Sequence, residues 1–366
     1  MTAKLLVGTR KGLFILEPQA KQWRIDAAML LGDPVTMVLA DREGGLHAAQ
    51  DLGHFGVKIK RTRDGGTTWE DRPVPKYPPK PEGEEDVDPT RRTPVPWDLK
   101  QVWALESAPN GDLWCGTIPG GLFRSRDGGE SWQLVENLWR HPDRKAWFGG
   151  GADFPGIHSV LIDPRNPAVI RIGVSCGGLW ISNDDGESWE CHGEGMRAAY
   201  MPPDQAYNRK VQDPHRIVQC PTAPDRLWIQ HHNGIFRSTD GGKTCTEVET
   251  ATPSSFGFAC AVHPQDPETV WFVPGVKDAA RYAVDGALVV TRTRDGGATF
   301  DELRNGLPQQ HAYDIVYRHG LDIDARGDTL AFGSTTGNLW LSADQGESWQ
   351  QLSSSLPPIY CVRFIA

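Results

Sequence analysis

A nine-residue stretch, RSRDGGESW at Arg124–Trp132, returns five more times along the chain, and no other feature restricts the fold as much. The copies are RTRDGGTTW (Arg61–Trp69), ISNDDGESW (Ile181–Trp189), RSTDGGKTC (Arg237–Cys245), TRDGGATF (Thr293–Phe300) and LSADQGESW (Leu341–Trp349). Their central acids, Asp64, Asp127, Asp184, Asp240, Asp295 and Asp344, are spaced by 63, 57, 56, 55 and 49 residues. Self-similarity at a period of about 50 residues is the mark of a propeller or solenoid array. Each copy has Ser or Thr two residues before the Asp, Gly two after, and Ser or Thr four after. A large apolar residue follows at plus five, replaced once by Cys245. The carboxylate can accept hydrogen bonds from backbone N–H groups just ahead of it, and Gly takes the positive φ that closes such a turn. The box is therefore a hairpin connection, and its Asp residues are structural.

Two short β-rich runs precede each box, as in DLWCGT-IPG-GLFRSRD and RLWIQ-HHN-GIFRSTD, and another lies before those, such as HSVLIDP or HRIVQCP. That makes four strands, A to D, with the box between C and D: a propeller blade. A seventh unit opens the chain. GTRKGLFILEPQAKQW aligns with GTIPGGLFRSRDGGESW, with Pro18 in the place of Asp127, but its strand A is missing. The terminal PIYCVRFIA has no blade of its own, so Tyr360–Ile365 supplies that strand and removes the open edges. The expectation is an all-β, single-domain chain, 1–366: a seven-bladed β-propeller of four-stranded antiparallel blades, closed by the C-terminal strand joining the N-terminal blade, with almost no helix.

Composition narrows the function. A net charge of −9 disfavours nucleic acid as a partner, because phosphates would be repelled. Seven scattered cysteines without a C-x-x-C pair read as reduced thiols. With no signal-peptide pattern and no long apolar run, the expected setting is cytoplasmic, with no membrane partner. Walker, Rossmann and G-x-S-x-G signatures are absent.

The S/T-x-D-x-G-x-S/T-W signature resembles the Asp box, or BNR repeat, of sialidases, sortilin-like receptors, xyloglucan-active glycosidases and photosystem assembly propellers. The strings WFGGGADFPGIHS, QDPHRIVQCP and QHHNGIFRSTDGG look like a bacterial family labelled glycosyl hydrolase or exo-alpha-sialidase with BNR repeats. That resemblance implies a sialidase-like glycosyl hydrolase. The sialidase Phe/Tyr-Arg-Ile-Pro motif does not occur here; HRIV at His215 is the nearest string. Xyloglucan-active enzymes are seven-bladed and use two carboxylates, which suits this architecture better. A non-catalytic ligand- or protein-binding propeller is the alternative, and a metal-dependent hydrolase or lyase a further one.

The box lies at one end of each blade, so the B–C turns and the long D–A links gather at the other, where propellers usually bind ligands. When inner strands are aligned on their terminal proline, Trp103, His158, His215 and Phe258 share one register, six residues before it. His158, His215, Asp153 and Asp213 are the catalytic candidates, the two acids as a pair, with Asp278 and Asp314 in reserve. His158, His215 and His232 could hold a divalent metal; plugging by hydrogen-bonded side chains is the structural alternative. His319 aligns ambiguously with this set. Ligand-binding candidates are Arg10, Lys11, His54, Trp147, Arg197, His231, His232 and Arg281, for a carbohydrate or a small anionic ligand. Tyr200 and Tyr207 could stack on sugar rings or pack their links. The link KYPPKPEGEEDVDPTRRTPVPW, within 70–102, reads as a solvated loop or as a lid. FGGGADFPG (Phe148–Gly156) reads as a close-approach loop at the ligand mouth.

Overall fold

The computed structural model describes residues 3–19, 22–150 and 152–365. Seven four-stranded antiparallel sheets follow one another, which makes the chain a seven-bladed β-propeller. Blade 1 is built from Ile359–Ile365, Lys4–Thr9, Gly12–Gln19 and Gln22–Met29, and blade 2 from Val35–Ala40, Leu46–Asp51, Val57–Thr62 and Glu70–Arg72. Blade 3 has Gln101–Ser107, Leu113–Ile118, Leu122–Ser125 and Gln133–Leu134, and blade 4 Gly156–Ile162, Ile170–Ser175, Gly178–Ser182 and Glu190–His192. Blade 5 has Pro214–Cys220, Ala223–His231, Gly234–Ser238 and Thr246–Val248. Blade 6 has Gly257–Val262, Val270–Pro274, Val290–Thr293 and Asp301–Leu303, and blade 7 Leu321–Ile323, Leu330–Gly333, Leu339–Ser342 and Gln350–Ser353. As expected, the C-terminal strand completes the first blade, with Lys4 opposite Ile365 and Gly8 opposite Cys361. Among the described residues the one α-helix is a single turn, Glu136–Trp139, and no helix is long and apolar enough to cross a membrane.

The burial of the strands explains their composition. Second strands such as Leu113–Ile118 and Ile170–Ser175 are buried at every position, whereas outer strands such as Glu70–Arg72 are exposed or half-buried. A strand covered on both faces needs a continuous run of apolar and small residues; an outermost one does not. By internal contact the chain resolves into two compact units. One carries blades 1, 5, 6 and 7, with cores around Leu5, Val7, Ile359 and Val362 and around Trp271, Phe332, Trp340 and Trp349. The other carries blades 2, 3 and 4, with a core of Trp114, Ile157, Ile172, Trp180 and Trp189.

The boxes form the turn the sequence calls for. At Asp344, Oδ1 accepts from Ser342 Oγ (2.7 Å) and Ser348 N (2.9 Å), and Oδ2 accepts from Ser348 Oγ (2.5 Å). Gly346 N donates to Ser342 Oγ (2.8 Å) at a φ of 94°. The same bonds at Asp64 and Asp295, led by the backbone N–H groups of Thr68 and Thr299, hold those carboxyls down at about 2. The plus-five Trp349 is buried against the blade. In blade 1, Gly12–Gln19 and Gln22–Met29 run as long paired strands with Pro18 opposite Trp23. Asp344→Ala removes three acceptor contacts from a partly buried turn and is expected to cost about 1–2 kcal/mol, read as a lower urea midpoint at unchanged slope. An unchanged midpoint would mean that the glycine geometry alone holds the turn.

The acidic, proline-rich link in 70–102 is anchored rather than solvated. Asp86 and Asp88 are buried. Asp86 pairs with buried Arg144 (2.6 Å) and accepts from Trp97 Nε1 (2.8 Å). Asp88 accepts from Thr90 N, Arg91 N and Gly149 N at 2.8, 2.7 and 2.6 Å. Tyr77 Oη lies 2.6 Å from Thr117 Oγ1 and accepts from Gly121 N (2.8 Å). The segment bonds to Gly149, Gly150 and Ala152 of the glycine-rich stretch, with Asp88 accepting from Gly149 N and Arg91 donating to Gly150 O and Ala152 O; Gly151 lies outside the described residues.

Candidate functional site

The shared register of Trp103, His158 and Phe258 is real, and it has a cause the sequence does not display. Val102 pairs with Thr117 and Ala104 with Gly116, so Trp103 is left over. His158 is skipped in the same way between Ile157 and Ser159, and Phe258 lies within the register shift between Gly257 and Cys260. In blade 1 Tyr360 is skipped between Ile359 and Cys361. A bulge turns its extra residue out of the ladder and re-aims the side chain. His215 occupies the second position of its own inner strand, Pro214–Cys220. The repeated bulge is thus a device for presenting one large side chain from the inner strand of blades 1, 3, 4 and 6.

What these side chains meet differs from blade to blade. Buried His158 packs edge-on against Trp103 at 5.6 Å, with Nδ1 2.9 Å from Ser159 Oγ. Buried His215 stacks on Phe258 with centroids 4.4 Å apart, and its Nδ1 lies 2.7 Å from the carbonyl oxygen of Gly257. A carbonyl can only accept, so Nδ1 carries a hydrogen and donates it to Gly257 O. The ring of half-buried His232, in the B–C turn of the same blade, lies 5.4 Å from that of His215. Asp213, immediately before this strand, is buried, and its Oδ1 accepts from Ser175 Oγ and Cys176 N, both at 3.1 Å.

Beside His215, Phe258 carries a cationic and aromatic surround. The guanidinium carbons of Arg281 and Arg318 lie 5.3 and 5.4 Å from its ring centre, and Tyr317 meets it edge-on at 5.3 Å. Tyr282, Tyr313 and Tyr317 are exposed, and the first two rings are 6.2 Å apart. These tyrosines are absent from the sequence-derived candidates. Their signal was the aromatic content of two segments without repeat pattern, one being the long B–C turn of blade 6, which holds Tyr282, and the other the link between blades 6 and 7, which holds Tyr313 and Tyr317.

Several other expectations need correction. Asp153 does not pair with Asp213: its side chain is 94% exposed and salt-bridged to Arg91 (3.3 Å), whereas Asp213 is buried. Trp147 is buried and packs on Trp180 at 5.4 Å, so it is core and not a ligand platform. His231 is buried against Phe236, its Nδ1 accepting from Asn233 N (3.1 Å), which makes it a turn and core residue. His54 is exposed on the turn Gly53–Phe55 beside Phe55, and Arg10 and Lys11 are exposed on the first B–C turn. Arg197 is half-buried. Asp278 is held by Arg281, and Asp314 is buried, its Oδ1 taken by Ser334, Thr336 and Asn338. His319 lies outside the strand Leu321–Ile323 and bridges to Cys361. Tyr200 Oη donates to Val211 O (2.6 Å), so it packs its link; Tyr207 is exposed. None of the seven cysteines is in a disulfide, and burial pushes the thiols of Cys191 and Cys260 up to about 12.

No family model matches the chain. Two curated relatives do: a probable oligoxyloglucan-reducing end-specific xyloglucanase of Neosartorya fischeri, 36% identical over 269 residues, and an oligoxyloglucan-reducing end-specific xyloglucanase of Emericella nidulans, 35% identical over 80 residues. These alignments cover 66% and 22% of this chain, which spans 30% and 9% of the respective relatives. Among solved structures, an ancestral GH74 enzyme superposes with a TM-score of 0.60 at 15% identity, over 88% of this chain and 39% of the other, which supports the propeller fold.

Proposed function

We propose that the protein is a glycosyl hydrolase-type propeller that takes a xyloglucan-derived oligosaccharide at the surface formed by blade 6 and its link to blade 7. The observation that carries this reading is the 36% identity over 269 residues to a xyloglucanase. The chemistry of the surface fits. Exposed Tyr282, Tyr313 and Tyr317 offer apolar rings to the C–H faces of sugars, and Arg281 and Asp278 beside them offer polar partners for hydroxyls. The test is release of new reducing ends from xyloglucan oligosaccharides, with binding followed in parallel by calorimetry. Tyr313→Ala, which removes an exposed ring and no core contact, is expected to raise KM roughly tenfold with kcat little changed, equivalent to about 1.4 kcal/mol of uniform binding. Absence of both binding and turnover overturns the reading.

One observation favours a second reading, a carbohydrate-binding propeller without hydrolysis. Glycoside hydrolysis needs two carboxyl groups about 5–10 Å apart flanking the bond, and exposed Asp153 and buried Asp213 do not form such a matched pair. Saturable oligosaccharide binding without product would establish it.

A further inference from the structure

We propose that the ligand of the blade 6 surface is an acidic oligosaccharide, one whose uronate carboxylate pairs with Arg281, a class that rests on the reading of this surface as a glycan site. A neutral sugar is held by aromatic faces and hydroxyl partners, which the tyrosines and Asp278 already provide. Neither requirement explains why two guanidinium groups are drawn up to one ring. The guanidinium carbons of Arg281 and Arg318 lie 5.3 and 5.4 Å from the centre of the Phe258 ring, and Tyr317 meets that ring edge-on at 5.3 Å. Arg318 is buried, and its packing belongs to the fold. Arg281 is not: its side chain is 39% exposed on the long B–C turn 275–289. All of these residues lie in one compact unit, that of blades 1, 5, 6 and 7.

Arg281 is the group placed to meet a carboxylate. Asp278 takes its Nε and Nη2 from one side. A guanidinium carries its N–H donors in a planar fork, so Nη1 is left for a second planar acceptor. The carboxylate of Asp278 is itself 43% exposed, and an exposed ion pair contributes little to stability. An incoming carboxylate therefore joins or displaces Asp278 at small cost. Packing over Phe258 restrains the fork, which reduces the freedom lost on binding. The permanent charge of Arg318 adds to the attraction from the far end of the same ring contact. Exposed Tyr282 and Tyr313, with rings 6.2 Å apart, offer faces for the sugar that bears the carboxylate. Tyr282 follows Arg281 in the chain, so ring and charge belong to one short segment.

The experiment titrates the full chain, by calorimetry, with a xyloglucan oligosaccharide and with the same oligosaccharide oxidised at the galactose primary alcohol to the carboxylate. The two ligands differ by one charge. The oxidised form is expected to bind roughly tenfold more tightly at low salt, as a charge-assisted guanidinium–carboxylate pair would give. That preference is expected to shrink about threefold between ~50 mM and ~500 mM NaCl, because salt screens an exposed pair. Arg281→Gln, on an exposed turn, keeps hydrogen-bond donors and loses the charge; the preference is expected to fall to about twofold or less. Asp278→Asn removes the competing carboxylate and is expected to raise the affinity for the oxidised form about threefold, a gain that a merely structural ion pair does not produce. Equal affinity of the parent for the two ligands overturns the acidic class and leaves the glycan reading standing. A preference that survives Arg281→Gln unchanged overturns it as well. Binding of neither ligand overturns the glycan reading and the acidic class with it.

Discussion

Arg144→Ala is expected to destabilise the unit of blades 2, 3 and 4 by about 3–5 kcal/mol, the cost of stranding a buried charge. The guanidinium is buried over the Trp139 ring at 3.9 Å, donates from Nε to Trp139 O (2.6 Å), and pairs with Asp86 at 2.6 Å. Without it Asp86 keeps only the indole N–H of Trp97 among these partners, and an aromatic face loses its cation. The loss should be seen as a lower urea midpoint together with faster proteolysis within 73–100, since Asp86 and Tyr77 are the anchors of that link. Arg144→Met with Asp86→Leu, which removes both charges at similar volume, is expected to recover most of the loss. If Arg144→Ala unfolds like the parent, the buried pair is dispensable and the link is held by Tyr77 and Asp88 alone.

That pair also marks a boundary of what the sequence could reveal. The Asp box is legible because its bonds span two to four residues, so Ser342, Asp344, Gly346 and Ser348 declare the turn by spacing alone. The closing strand is legible because a four-stranded unit that lacks a strand at one end of the chain must find it at the other; the observed strand starts at Ile359, one residue before the expected Tyr360. The link between blades 2 and 3 is not legible. Its glutamates, prolines and arginines have the composition of a solvated segment, and Asp86 is recognisable as buried only from Arg144, 58 residues later. The site follows the same rule. His215 emerges from a register shared across blades, and Asp213 and His232 from its vicinity. Asp153 was misread because its partner, Arg91, lies 62 residues away in a segment without repeat pattern. Trp147 was misread because an aromatic in a long link packs inward as readily as it faces a ligand. The bulges at Trp103, His158 and Tyr360 are invisible to a period count, since they depend on which residue of the neighbouring strand each amide faces.

A different acid gives the stability an unusual pH dependence. Asp322, at the inner strand of blade 7, is half-buried and accepts from the backbone N–H of Phe364 at 2.7 Å. Burial dominates over that bond and over the charges of Arg363 and Arg216, and pushes the carboxyl up to about 6 from 3.8. A carboxyl whose folded-state value is raised binds its proton more tightly in the folded chain. It therefore contributes stability in full below about pH 3.8, and that contribution is lost as pH rises through about 6. At 1.36 kcal/mol per unit the shift corresponds to about 3 kcal/mol, reduced here to about 2 because the side chain keeps some solvent. Asp322→Asn retains an acceptor for Phe364 N and cannot ionise. The stability of this variant relative to the parent is expected to rise by about 2 kcal/mol between pH 4 and pH 7.5, measured as the difference of urea-unfolding free energies at the two values. Taking that difference cancels the opposite trend of the box carboxylates, whose depressed values make both proteins lose stability as pH falls toward about 2. A difference that stays flat across this range would show that Asp322 ionises alike in the folded and unfolded chain, and that water reaches its carboxyl beneath the closing strand.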